Sequence, residues 1–532
     1  MLYDANKGQQ FADTKFDLCI VGAGPAGITL AIEMASAGTR ICLLDAGDEH
    51  YSIESQELYK PQYKAEFYED TTFNRLRMLG GSSNHWENNT SEFMPNDFLK
   101  KDWIPNSGWP ISYEDVGPFY IRAAIYCQTD TDEYDSQKWH ERLNRTDPLI
   151  NVEGMITGIG KASLPPTRFY DVHKSKLHSL RNITVVKNAN IIDVTANMDI
   201  SKITSATFSN YKNVRFEIDA SKFVLAMGGI ENARMLLIFN EKYDNKLGNS
   251  NQLVGRYFMD HPLLRAAKLY SNTDKDMGLL TEQKVVGRKV ILGFMQHTDE
   301  SILANKLINL RMPIFKASSL QLSDGIESMH VLKEAISQGD LPENILKHLL
   351  NTIKDADEIN ESIIRKLFNT KVLSYVDEFE GYEMPIMLEQ LPHFDNRIAL
   401  GYEKDRFGLK KHTVHWRFHD EDFALAWESL KSVASQLAMN NVGRLRIMEE
   451  FQQRLQNEKL YVSHHHMGTT RMAENATEGV VDSNCKVFNT ANLYVAGSSV
   501  FTTGSHVPPT LTLVALSIRL ANHFKAEKGV LT

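Results

Sequence analysis

The sequence is poor in cysteine and pairs none of it. Cys19, Cys42, Cys127 and Cys485 stand far apart in 532 residues, with no C-x-x-C spacing among them. A thiolate zinc site and a disulfide framework are therefore not expected, and the chain reads as reduced and cytoplasmic. The same absence removes C-x-x-C-H haem attachment, so any cytochrome partner would be a separate chain. Blocks of Lys and Arg that could neutralise phosphates are missing, and the formal net charge is -9, so nucleic acid is not an expected partner. No apolar run reaches the roughly 18 residues that span a bilayer. The first hydrophobic stretch is broken by Gly22, Gly24, Pro25 and Gly27. The polar N-terminus lacks the basic-then-apolar order of a secretory signal, so export on its own signal is not expected. Internal repeats are absent too, which sets solenoid folds aside.

What remains has the composition of a folded protein: 42% hydrophobic and 23% charged residues, with a mean hydropathy of -0.33. The length suggests more than one domain. Phe16–Val21 is a short apolar run that stops at glycine, Ala26–Ala37 is a helical pattern ending at Gly38, and Arg40–Leu44 is a second apolar run closed by Asp45. Strand, turn, helix, strand is the first half of a doubly wound sheet. Strand-like runs recur at Ile183–Lys187, Ile191–Ala196 and Phe223–Ala226, the last feeding a helical pattern from Glu231 to Phe239. Gly479–Asp482 and Leu493–Ser498 read as two further strands before a final helix. Residues 46 to 125 show little periodicity and read as long wrapping loops. From about 318 to 370 the pattern becomes amphipathic helix, with Ile345, Leu346, Leu349, Leu350 and Ile353 on one face, expected to pack as a cap on the body.

Gly22, Gly24 and Gly27 fit G-x-G-x-x-G between strand and helix, and Asp45 follows 18 positions after the last glycine. Gly22 permits the tight turn and Gly24 lets backbone approach a pyrophosphate at the helix N-terminus. Gly27 lets helix and strand pack closely, and the acid accepts from a ribose. The pattern implies a dinucleotide cofactor and does not by itself separate FAD from NAD.

Further segments carry a resemblance: Arg75–Trp86 with its Gly-Gly-Ser-Ser-Asn-His-Trp, Gly108–Asp115, Phe223–Arg234, and the C-terminal stretch from His464 to Phe524, with Gly255–Pro262 and Leu388–Pro392 as weaker markers. Together these resemble the glucose-methanol-choline (GMC) oxidoreductases, in the bacterial branch similar to pyranose oxidase and to sugar-acid and aminoglycoside oxidising flavoenzymes. The stretch from 265 to 380 shows little to match. The resemblance implies an α/β fold in which a Rossmann-like FAD-binding domain (1–110, 180–265 and 460–532) interleaves with a substrate-binding domain of antiparallel sheet plus helices (111–179 and 266–459). It implies FAD held by Gly22, Gly24, Ala26, Gly27, Asp45, Arg75, Gly80, Gly81, Ser83, Asn84, His85, Ile191, Ala226, Gly497, Ser498, Pro509 and Thr510. His85 falls where pyranose oxidase joins its flavin covalently, so both a covalent and a noncovalent flavin stay open.

The reaction implied is hydride removal from an alcohol carbon to flavin N5, on a sugar, sugar acid, cyclitol or aminoglycoside, with oxygen, a quinone or a partner protein reoxidising the flavin. Such chemistry needs a base for the hydroxyl proton, and neutral imidazole suits it. Within His464–Met472 the family register selects His465. Alternation along an extended strand would send His464 and His466 to the opposite face, and a metal site there is not expected. The family's second catalytic position is occupied by Pro508, which cannot hydrogen-bond through its side chain. His506, two residues earlier, is the candidate replacement, with Ser505 or main-chain groups as the alternative. A redox-silent FAD-containing lyase and a non-enzymatic flavin-binding scaffold are the competing functions.

Overall fold

In the computed structural model, which describes residues 1–8, 15–65, 68–129, 134–145, 149–272, 277–318, 323–338, 344–356, 359, 379–448, 451 and 461–529, the N-terminal strand–turn–helix–strand opens a doubly wound sheet. Strand Lys15–Val21 buries its last four side chains, and helix Pro25–Ala35 starts on a proline whose missing N–H is no loss in a first turn. Gly38, at φ 69°, leads the chain away from the helix towards strand Ile41–Leu44. The parallel strands lie in the order Leu2–Asp4, Ile183–Lys187, Ile41–Leu44, Lys15–Val21, Arg215–Leu225. Arg215–Leu225 serves two neighbours on its other edge. Its first residues pair antiparallel with Ile203–Ser209, which pairs with Asn190–Ala196, and its last three pair parallel with Leu493–Val495. Helix Thr510–Glu527 packs against helix Pro25–Ala35.

A second sheet, antiparallel, is centred on Pro262–Ser271, flanked by Phe379–Leu388 on one side and Gly443–Ile447 and Tyr461–Val462 on the other. Leu310–Arg311 and Phe315–Ser318 pair along Phe379–Leu388. Its core is separate from that of the parallel sheet, and Ala426, Leu430, Val433 and Leu437 of helix Asp420–Met439 fill it. The chain leaves the parallel body at residue 262 and returns through 461–462. The strands on either side of that crossing run side by side, with reciprocal bonds between Met259 and Met467 of 3.1 and 3.0 Å. This crossing positions the site.

Two expectations differ. Gly479–Asp482 forms no strand; Val481 makes only single bridges, to Met472 and Val487. Helices Asp324–Gln338 and Ile345–Lys354 form where periodicity places them and pack on each other, with His348 Nδ1 3.2 Å from Ser328 Oγ. The apolar face of the second is not seated on the body: Leu346 is 74% and Ile353 72% exposed. Periodicity shows which residues share a face and not what that face meets. Most of the expected helix beyond 356 lies outside the described residues. No helix among the described residues is long and apolar enough to cross a membrane.

Candidate active site

A cavity of about 870 Å³ runs from the Gly22 turn to the histidines 464–466, with walls from both sheets. Gly22 sits at φ 109° with its Cα against the next strand; a Cβ there would lie 2.4 Å from the Ala226 carbonyl oxygen. A Cβ on Gly27 would lie 1.9 Å from the Gly22 carbonyl oxygen, so turn and helix close on each other only because both residues are glycine. Gly24, at the start of the helix, has nothing within 4 Å of its Cβ position and lines the cavity, which leaves the positive helix end open to it.

Of the residues expected to hold a cofactor, Gly22, Gly24, Ala26, Asp45, Arg75, Gly81, Ser83, His85, Ile191, Ala226, Gly497, Ser498, Pro509 and Thr510 line this cavity. Gly27, Gly80 and Asn84 do not reach its wall; they shape it. Gly80 donates its N–H to the Ala23 carbonyl at 2.8 Å, and the Asn84 amide folds back onto the Leu79 and Gly81 carbonyls, each at 2.9 Å. The Asp45 carboxylate accepts from the N–H groups of Ala23 at 2.7 Å and Gly47 at 2.8 Å, which leaves each oxygen a lone pair for a further donor. Burial pushes its carboxyl up, against those two bonds and Arg77.

On the cavity wall, Glu231 gathers three guanidiniums: Arg234 at 2.9 Å, Arg75 at 3.5 Å and Arg77 at 3.9 Å. Burial alone would raise its carboxyl, but Arg234, Arg75 and Arg77 hold it at about 2. Several buried polar atoms on the cavity wall have no hydrogen-bond partner among the described residues, including Asn74 Nδ2, Arg75 Nη1, Arg77 Nε and His466 Nε2. A glycine turn, an open helix end and a line of unpartnered donors together suit a long anionic dinucleotide.

The histidine run does not lie as an extended strand. His464 adopts φ 60°, and this left-handed kink breaks the expected alternation, so His464, His465 and His466 all line the cavity. Asp260 replaces the backbone acceptor lost at the kink: one carboxylate oxygen accepts from the N–H groups of both His261 and His465, each at 2.8 Å. The other accepts from Tyr68 Oη at 2.7 Å. The imidazoles of His261 and His465 meet nearly at right angles, Nδ1 to Nδ1 at 2.9 Å. His261 Nε2 lies 3.1 Å from the Gly504 carbonyl, which can only accept, so Nε2 carries the proton. In a neutral ring that makes His261 Nδ1 the acceptor and His465 Nδ1 the donor, and leaves the His465 Nε2 lone pair free. Both rings are held neutral by burial. His261 falls to about 4, and His465 lies well below the ordinary imidazole value through burial first and then the neighbouring His261.

His506, the expected partner of His465, lies away from the cavity wall in this structure. It is 1% exposed; its Nε2 meets Gln296 Oε1 at 2.8 Å and its Nδ1 meets Ser505 Oγ at 3.3 Å. Ahead of helix Thr510–Glu527, Pro508 and Pro509 occupy the cavity wall, and the chain two residues earlier has already turned into the core beside Phe294. The group that faces His465 is His261, which comes from the Asp-His-Pro segment noted only as a weak marker. Elsewhere, His393, His419 and Glu421 bring ligand atoms within 4.8 Å of one another. Their two imidazoles stack with centroids 3.7 Å apart and planes 15° apart. In-plane lone pairs on parallel rings point side by side and do not converge on an ion.

Comparison with known proteins agrees with this geometry. Residues 15–141 match the FAD binding domain model and residues 392–517 match the GMC oxidoreductase model. The 2-methyl-1,2-propanediol dehydrogenase of Mycolicibacterium austroafricanum is 25% identical, covering 95% of this chain and 94% of its own. The large subunit of a fructose dehydrogenase from Gluconobacter japonicus is 19% identical over 95% of this chain and 97% of its own. Two solved structures share the fold. Pyridoxine 4-oxidase from Mesorbium loti has a TM-score of 0.52 at 14% identity, covering 96% of this chain and 99% of its own. A mutant formate oxidase of Aspergillus oryzae RIB40, solved for the mutation's effect on FAD modification, has a TM-score of 0.53 at 15% identity, covering 98% and 100%. The matched segments and relatives make the chain similar to the GMC oxidoreductases and support an FAD-dependent alcohol oxidoreductase.

Proposed function

We propose that this enzyme oxidises a hydroxyl group on a small polar molecule to a carbonyl, with His465 as the base. The observation that carries the assignment is the chain Gly504 carbonyl, His261, His465, which fixes His465 with Nε2 bare in the cavity. FAD, when bound along the wall from Gly22 to Thr510, supplies the two-electron acceptor for the hydride. His465 Nε2 takes the hydroxyl proton as the carbonyl forms, and its Nδ1–H stays on His261. The Asp260 carboxylate ties the two backbones together and so sets the positions from which the two rings meet. Near the histidines, Asn89, Ser463 and His464 supply polar edges between Leu263, Phe315 and Met387, a wall suited to orienting a hydroxylated substrate. The proton collected on His465 leaves readily, because burial first, and then the neighbouring histidines and Arg311, disfavour imidazolium.

The test is anaerobic mixing of the FAD-loaded enzyme with sugars, polyols and sugar acids while the visible flavin bands are followed. Bleaching with formation of one carbonyl per flavin supports the proposal. Conversion of a substrate with the bands unchanged would establish a lyase instead. Acid precipitation of the same sample reads the His85 question directly: flavin that follows the pellet is covalently attached, and flavin in the supernatant is not.

A further inference from the structure

Among the described residues, Arg311 is the guanidinium on the cavity wall that has no counter-charge. It ends the two-residue strand Leu310–Arg311, paired with Leu388 and Met387, and is 4% exposed. Its guanidinium lies 4.0 Å over the Phe294 ring, and Nη2 is 3.4 Å from Asn89 Oδ1. Nη1 has no hydrogen-bond partner, and among the described residues no carboxylate comes within ion-pair distance of it. The contrast lies on the same wall, where Arg75, Arg77 and Arg234 share Glu231. Burying a guanidinium without an anion is costly unless something compensates it. That cost shows in its pKa, lowered to about 9 by burial alone, with no opposing charge.

We infer that Arg311 is the anchor for a carboxylate group on the substrate, so that the alcohol oxidised is a hydroxy acid or sugar acid. The inference rests on the reading of this cavity as an alcohol-oxidising site. Two features place the anion on the substrate and not on the cofactor. Arg311 belongs to the antiparallel sheet, whereas the glycine turn and open helix end that suit a pyrophosphate belong to the parallel one. It also sits close enough to depress His465 and His261 by its charge, which is the histidine end of the cavity. A planar guanidinium with a free N–H and an adjacent amide matches the fork of a carboxylate. A phosphate ester, with nearly twice the charge, would call for a second cation.

The experiment titrates FAD-loaded enzyme with two isosteric pairs, glycolate against glycolamide and D-gluconate against D-gluconamide, and follows the shift in flavin absorbance. Each pair differs only in the charged group, and binding is read whether or not oxidation follows. The expected result is that at least one carboxylate outbinds its amide by tenfold or more in the wild type. Arg311→Gln should reduce that preference at least tenfold with FAD content unchanged, Arg311→Lys should keep part of it, and Asn89→Ala should weaken it less. Equal binding within each pair in the wild type, or a preference that survives Arg311→Gln, overturns the inference. So does loss of FAD in Arg311→Gln, which would assign the cation to the cofactor. Failure of the alcohol-oxidase reading looks different: the carboxylates bind, and no alcohol bleaches the flavin.

Discussion

Replacing His261 with leucine tests the proton arrangement at its least conventional point. In the wild type His465 Nδ1–H donates to His261 Nδ1 at 2.9 Å, and that bond selects the tautomer whose Nε2 can act as base. Leucine offers no acceptor, so the reactive tautomer would carry a buried, unpaired N–H, at a cost of about 1–3 kcal/mol. The other tautomer, with its proton on Nε2, pays no such cost, because Nε2 faces the cavity. At 1.36 kcal/mol per decade the reactive fraction, and with it the rate of flavin reduction, falls about 5- to 150-fold. Anaerobic stopped-flow bleaching at saturating alcohol measures this rate, with apparent substrate affinity as the control for binding. His261→Gln, whose side-chain oxygen can accept, should recover part of the rate. An unchanged limiting rate in His261→Leu with full FAD content would refute the tautomer argument, as would a loss confined to affinity.

Three further outcomes follow from buried groups. Glu231→Gln removes the anion shared by Arg75, Arg77 and Arg234, so urea unfolding should show a loss of about 3–5 kcal/mol; a change under about 1 kcal/mol would mean the cluster is relieved by solvent or relaxation. His297 is 1% exposed with neither ring nitrogen bonded, and burial lowers it to about 4. Its unfolded value is near 6.5, so the unfolded chain takes up the proton first. The stability tied to neutral His297 is therefore intact above pH 6.5 and falls by about 3 kcal/mol as pH drops to 4. His297→Leu should flatten that part of the stability–pH curve, and parallel curves for the two proteins would contradict it. Gly22→Ala places a Cβ 2.4 Å from the Ala226 oxygen at φ 109°, which should cost about 2–4 kcal/mol and lower FAD content in the purified protein; a variant with full flavin content would show that the turn can relax.

The parts of this site that were legible in the sequence are local ones. Gly22 and Gly27 act on neighbours in the same turn, and the strand and helix on either side carry their own periodicity, so spacing alone located them. Register within a short segment is what points to His465. His261 has no such pointer, because its partner lies 204 residues away and its role exists only once two strands cross between sheets. The kink at His464 defeated the alternation argument, since period-two reasoning assumes extended backbone at every residue. His506 is near along the chain to a position the prolines occupy, and that nearness does not bring it to the cavity wall. Arg311 lies in the stretch with no recognisable pattern, and only its lack of a counter-ion in three dimensions sets it apart. The exposed face of helix Ile345–Lys354 carries the same lesson.

The most direct test of the account is the anaerobic rate of flavin bleaching in His465→Gln beside the wild type, both loaded with FAD and mixed with an alcohol that the wild type oxidises. Loss of a positioned general base should slow bleaching about 10²- to 10⁴-fold, with the flavin spectrum and FAD content unchanged. A variant that bleaches its flavin at close to the wild-type rate would remove His465 from the chemistry and, with it, the proton path drawn here.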